Sequence, residues 1–139
     1  MVRTLAIAAF FASLQSAYPL RAEESGYEVV MTVRRPAAVG AAAGAPERPA
    51  VSLSILPHAG YTLLADGPLL VRLRGDGVTP ERPLYRREDA VDPRAEAPRF
   101  ELPYRRDRAG AARLDAELTF YICHADRCRP VERVYGTSL

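Results

Sequence analysis

Ten residues late in the chain, "LDAELTFYIC" from Leu114 to Cys123, alternate without a break. Leu114, Ala116, Leu118, Phe120 and Ile122 fall on one side, and Asp115, Glu117, Thr119, Tyr121 and Cys123 on the other. A helix would scatter that apolar set around its circumference, whereas an extended strand places all of it on one face. One apolar and one wet face define a half-buried antiparallel strand. Shorter runs repeat the pattern: "YEVVMTV" (27–33), "VSLSIL" (51–56), "LLVRLR" (69–74) and "RFELPY" (99–104). "RPVERVY" (129–135) returns after the cysteines as a further strand.

The 12 prolines and 9 glycines fall mostly between these runs, as turn punctuation. No helical stripe stands out after the N-terminal segment. The pattern predicts an all-β fold, an immunoglobulin-like antiparallel β-sandwich of about seven to eight strands. The chain has no Trp, so the usual core Trp of antibody domains is missing, and no cysteine pair is spaced to bridge the two sheets. Two segments break the alternation. "RRPAAVGAAAGAPERPA" (34–50) reads as a flexible Ala/Pro/Gly loop. "LYRREDAVDPRAEAP" (84–98) is charged, interrupted by Pro93 and Pro98, and reads as a long surface loop.

The first 22 residues carry Arg3, an apolar run from Leu5 to Leu14, and small residues at Ser16, Ala17 and Ala22. That layout is a secretory signal peptide, with an apolar run too short for the ~20 residues of a membrane span. The expected domain is 23–139, periplasmic or secreted, with no membrane span. Loss of Arg3 and Arg21 takes the formal charge from +2 to zero. A neutral domain has no bulk electrostatic attraction for nucleic acid or anionic lipid. An exported chain also meets oxidising surroundings, in which Cys123 and Cys128, its two cysteines, pair readily.

"HADR" (124–127) separates the two cysteines and predicts a four-residue hairpin loop. Cys128 then sits directly across from Cys123, within reach of a disulfide. The same register sets Phe120 against Val131 but Leu118 against Arg133, a mismatch that a bulge near Pro130 would repair. Strand alternation turns Cys123 away from the core or into a shallow covered spot. Three readings of the pair stand open. It is a reagent for thiol–disulfide exchange, an inert staple in a structural or protein-binding module, or half of a metal clip with His124 and Asp126. The staple closes a loop of only about six residues, worth about 2.2 kcal/mol by chain entropy, against about 4.7 for a ~100-residue loop. The metal reading is the weakest, because adjacent Cys and His seldom converge on one ion and no second ligand pair exists. Exchange needs an accessible sulfur and a resolving thiol nearby. His124 and Arg127 would favour a thiolate by placing positive charge beside it, and Asp126 would oppose them.

"ELTFYICHADRCRPVE" resembles the end of the N-terminal periplasmic domain of DsbD-type thiol:disulfide interchange proteins, where a strand, a Cys, a short loop, a second Cys and a Pro follow one another. "LPHAGYTLLADGPLLVRL" (56–73) is similar to that family's Gly-Tyr turn and following strand, and the likeness extends over about residues 27–136. The resemblance implies an immunoglobulin-like sandwich whose Cys123–Cys128 disulfide takes electrons from a membrane electron transporter and passes them to protein thiol partners. It implies a carrier without cofactor or metal and with no small-molecule substrate. Tyr121 flanks the pair. A cap loop shielding the disulfide falls, by order along the chain, within 84–98, where Tyr85 is the only aromatic. The intercysteine loop is shorter than in the best-known members, and the relay's membrane and thioredoxin-like parts would be separate partners.

Elsewhere the chain is quiet. His58 in "LPHAG" reads as a turn residue. Arg86-Arg87 and Arg105-Arg106 are flanked by Glu88, Asp89 and Asp107, as in a mixed solvated surface. No phosphate loop, catalytic carboxylate pair or Ser-His-Asp pattern is present.

Overall fold

The computed structural model describes residues 25–36 and 48–139. The signal-peptide reading of 1–22 and most of the 34–50 loop lie outside them. Nine strands are present among the described residues: β1 (Tyr27–Arg34), β2 (Ala50–Pro57), β3 (Tyr61–Leu63), β4 (Leu70–Asp76), β5 (Val78–Pro80), β6 (Leu84–Arg86), β7 (Arg99–Arg106), β8 (Arg113–His124) and β9 (Arg127–Ser138). One 3-10 turn, Arg87–Asp89, is the only helical element among the described residues. No helix there is long and apolar enough to cross a membrane.

The strands form two antiparallel sheets. One has the order β1-β2-β7-β5. In the other, β8 pairs with β9 along one edge, and with β4 and then β3 along the opposite edge, while β6 extends from β4. Counting only β1, β2, β4, β5, β7, β8 and β9, the first, second, fifth and fourth strands face the third, sixth and seventh. That is the arrangement of an immunoglobulin constant-type sandwich.

The inward residues of both sheets form one core. Val51, Leu53, Ile55, Phe100 and Leu102 come from the first sheet, and Val71, Leu73, Leu114, Leu118, Phe120 and Ile122 from the second. Burying each such side chain contributes roughly 1.5–3 kcal/mol. Aromatic packing stands in for the missing Trp: Tyr27 meets Phe120 edge-on, with centroids 5.0 Å apart at 82°. The Tyr27 and Tyr135 hydroxyls are hydrogen-bonded at 2.9 Å, tying β1 to β9 across the sandwich.

Burial first, and then the Tyr27 hydrogen bond, push the Tyr135 phenol above its ordinary value. A raised folded-state value favours the neutral phenol in the fold. Its stabilising contribution is therefore complete below the ordinary tyrosine value near pH ~10 and is lost as pH climbs toward the folded value. Tyr135→Phe should cost about 1 kcal/mol at neutral pH and flatten the fall in stability between about pH 10 and 11. Urea midpoints across that range test this; a variant with an unchanged alkaline slope contradicts it.

Three short elements depart from the sequence expectation. β3, β5 and β6 have three residues each, and β6 together with the 3-10 turn lies inside the segment read as an open loop. That segment is anchored. Asp89 accepts two hydrogen bonds from Arg82, at 2.9 and 3.0 Å, and one from the Arg86 backbone N–H at 2.8 Å. The Arg82 guanidinium, helped by that N–H, holds the Asp89 carboxyl below the usual carboxylate value.

Candidate functional site

β8 and β9 form an unbroken ladder from Arg113↔Ser138 to His124↔Arg127. The turn between them is two residues long, Ala125 and Asp126, rather than the four expected from "HADR". Ala125 has φ 52°, a conformation that favours glycine. The anticipated bulge is absent. Leu118 does face Arg133, and the pairing persists because β9 is an edge strand, where a long arginine can carry its charged end out to water. Phe120 faces Val131, both buried, as the alternation requires.

Cys123 and Cys128 are paired positions in this ladder and are joined by a disulfide, with Cα atoms 4.0 Å apart. The bond forms because the second pair of a two-residue hairpin is a non-hydrogen-bonded pair, the closer of the two cross-strand spacings. The two cysteines are unequal. Cys123 is 7% exposed, in a strand flanked by β3 on one side and β9 on the other. Cys128 is exposed on the edge strand. Cys123 thus occupies a covered spot on the sheet's outer face, where Thr62 of β3 stands opposite it.

The remaining predicted residues divide by face. Tyr121 pairs with Pro130, the next position down on the sulfurs' side of the ribbon, and its carbonyl accepts the Leu64 N–H at 3.0 Å. His124 pairs with Arg127, and alternation turns both to the other side. The His124 ring stacks on Tyr61, with centroids 4.6 Å apart at 31°. Charge from His124 and Arg127 therefore approaches the sulfurs around the ribbon rather than directly. Asp126 is exposed at the turn. Because the sulfurs are bonded to each other, neither offers a thiolate to a metal. Among the described residues no group of three or more His, Cys, Asp and Glu side chains converges as a metal site.

Tyr85, the cap-loop candidate, is core. It is 5% exposed, and Arg82 lies over its ring with the guanidinium carbon 4.7 Å from the centroid. Burial raises its phenol above the ordinary value. It pairs with Val71, which pairs with Leu118, five residues short of Cys123 and roughly 17 Å away at ~3.4 Å per residue. A ring at that distance packs the sandwich interior and does not cover the disulfide.

No protein-family model, curated protein or solved structure matches this chain. The arrangement must speak through its own geometry. Sequence reasoning overlooked Tyr61 and Thr62 as neighbours of the hairpin, since only the pairing of β3 with the tip of β8 brings them there. The "GY" dipeptide was the sole available signal. A cleft of about 500 Å³ runs along β3, lined by His58, Gly60, Tyr61, Thr62, Leu63 and Glu96. A cleft of about 570 Å³ lies on the other sheet, beside β5 and β7. Its three arginines are already engaged, Arg48 with Glu81, Arg105 with Asp107 and Arg106 with the Gly110 carbonyl.

Proposed function

We propose that this chain is an exported carrier domain that exchanges its Cys123–Cys128 disulfide with protein thiols. The supporting observation is the asymmetry of the pair: one half exposed on an open sheet edge, the other covered in an interior strand. The resemblance to DsbD-type N-terminal domains and the signal-like first 22 residues point the same way. Under this reading electrons arrive from a membrane transporter and leave to periplasmic or secreted clients.

The exchange balances without a cofactor. A partner thiolate attacks Sγ of Cys128, forming a mixed disulfide, and the electron pair of the broken bond leaves on Cys123 as a thiolate. A second partner thiolate attacks the partner sulfur of that mixed disulfide and releases Cys128. The partner departs oxidised, and the domain holds two thiols after taking up two electrons and two protons. The reverse sequence reduces a client disulfide. Thiolate attack depends on access, so Cys128 is the attacked sulfur and Cys123 the resolving one.

Trapping tests this assignment. Cys123→Ser should accumulate mixed disulfides with a disulfide-bearing protein partner, the Cys128 thiolate attacking the partner's disulfide and the partner's other sulfur leaving as a thiolate. Cys128→Ser, left with the covered cysteine, should trap far less. Equal trapping by both variants contradicts the assigned roles. A reduction potential below about −300 mV, with no trapping by either, marks an inert staple in a structural or binding module and ends the exchange reading.

A further inference from the structure

The free side of β9 extends the exchange reading to the way a partner docks. In an antiparallel ladder each residue points both its main-chain groups to one side, alternating along the strand. The Leu64 N–H bonds the Tyr121 carbonyl, so odd-numbered residues at the tip of β8 point toward β3. Their β9 partners, Cys128 and Pro130 among them, must then point away from β8. Pro130, which has no N–H, sits at an outward position where none is needed. Continuing the alternation, Cys128, Glu132, Val134 and Gly136 present N–H and C=O groups outward, and β9 pairs with no described strand on that side. β1 and the residue pair before it approach from within the sandwich, through Tyr27 of the strand and through the carbonyl of Ser25, just ahead of it, that Arg129 bonds.

Such an edge is a template for strand addition. Its charge states what it accepts. Arg127, Arg129 and Arg133 line it against a single carboxylate, Glu132, and none of the three has a carboxylate partner among the described residues. Val134 is 63% exposed beside them.

We infer that an extended, acidic, cysteine-bearing segment of the partner adds to the open edge of β9 with its cysteine directly opposite Cys128. This rests on the exchange reading and supplies its geometry. Cys128 points outward, so a residue opposite it forms a hydrogen-bonded pair with Cα atoms ~5.5 Å apart, within the usual range for a disulfide. Opposed side chains share a face. The partner sulfur, Cys128 and Cys123 then stand in one row across three strands, aligned for displacement with Cys123 as the far, leaving group. Pro130 withholds one hydrogen bond beside the reaction, which limits pairing at the position most open to unwanted sheet extension.

The test uses the full chain in its oxidised form. The probe is a short synthetic peptide with one cysteine, glutamates at alternate positions and no proline; glutathione is the reference thiol. Mass spectrometry follows loss of the Cys123–Cys128 bond, with rates corrected for thiolate fraction. The peptide should react faster than glutathione. Glu132→Pro removes one outward N–H, spares the β8–β9 ladder, and should slow the peptide about fivefold, the equivalent of one backbone hydrogen bond, with glutathione unchanged. Val134→Pro should behave alike. Arg133→Glu should slow the acidic peptide and favour one carrying lysines in place of the glutamates. Equal rates for peptide and glutathione, or indifference of the peptide to both proline variants, overturn the docking mode and leave exchange standing. A disulfide inert to both thiols removes docking and exchange together.

Discussion

Phe120→Ala is expected to destabilise the domain by about 3–5 kcal/mol, read as a fall in the urea midpoint with little change in slope. Phe120 is 1% exposed, lies on the strand that carries the most cross-strand partners, and meets Tyr27 of the opposite sheet edge-on. Truncation removes its own buried surface and leaves a void between sheets that the surrounding β-branched and leucine side chains fill only in part. It also ends a T-shaped contact worth about 0.5–1.5 kcal/mol beyond area burial. Small domains hold only about 5–15 kcal/mol in total, so the variant should be partly unfolded at 37 °C. A loss under about 1 kcal/mol would mean that the two sheets are not joined through this ring.

Gly75→Ala should cost about 2–3 kcal/mol by a different route. Here the chain leaves the five-stranded sheet at the end of β4 and enters the four-stranded sheet at β5, through Gly77 at φ +73°. A Cβ on Gly75 would stand 2.0 Å from the Val78 carbonyl oxygen. That obstacle is backbone and cannot swing aside as a side-chain end can. The crossover must open, which pulls β5 from β7 or β4 from β8. Hydrogen exchange at Val78 and Arg106 should report the loosening first, since those residues pair at the start of β5. A variant as stable as the parent would show that the crossover bends elsewhere.

The strands that alternate over five or more residues were readable because period two is visible only over several repeats. β8 is the plainest case, and its partner β9 followed from the hairpin despite poorer alternation. β3, β5 and β6 span three residues each, too few to display a period, and they exist because a neighbouring strand offers them main-chain partners. Tyr85 was misplaced for the same reason. Its charged surroundings in sequence hide that pairing with Val71 turns the ring inward. At the cysteines, the register was legible and the covering of Cys123 only half so. Alternation put it on the outer face, but β3, which flanks it, belongs to a stretch distant in sequence. The face occupied by His124 and Arg127 follows from parity once the turn is known to hold two residues rather than four.

The short ring closed by Cys123 and Cys128 has one further consequence. Ten rungs of the same ribbon, from Arg113 through Ile122, lie below the sulfurs and do not depend on them. Opening the bond should therefore leave those rungs in place and free only the tip. Under the exchange reading proposed above, a partner would then distinguish the two forms by touching sulfur.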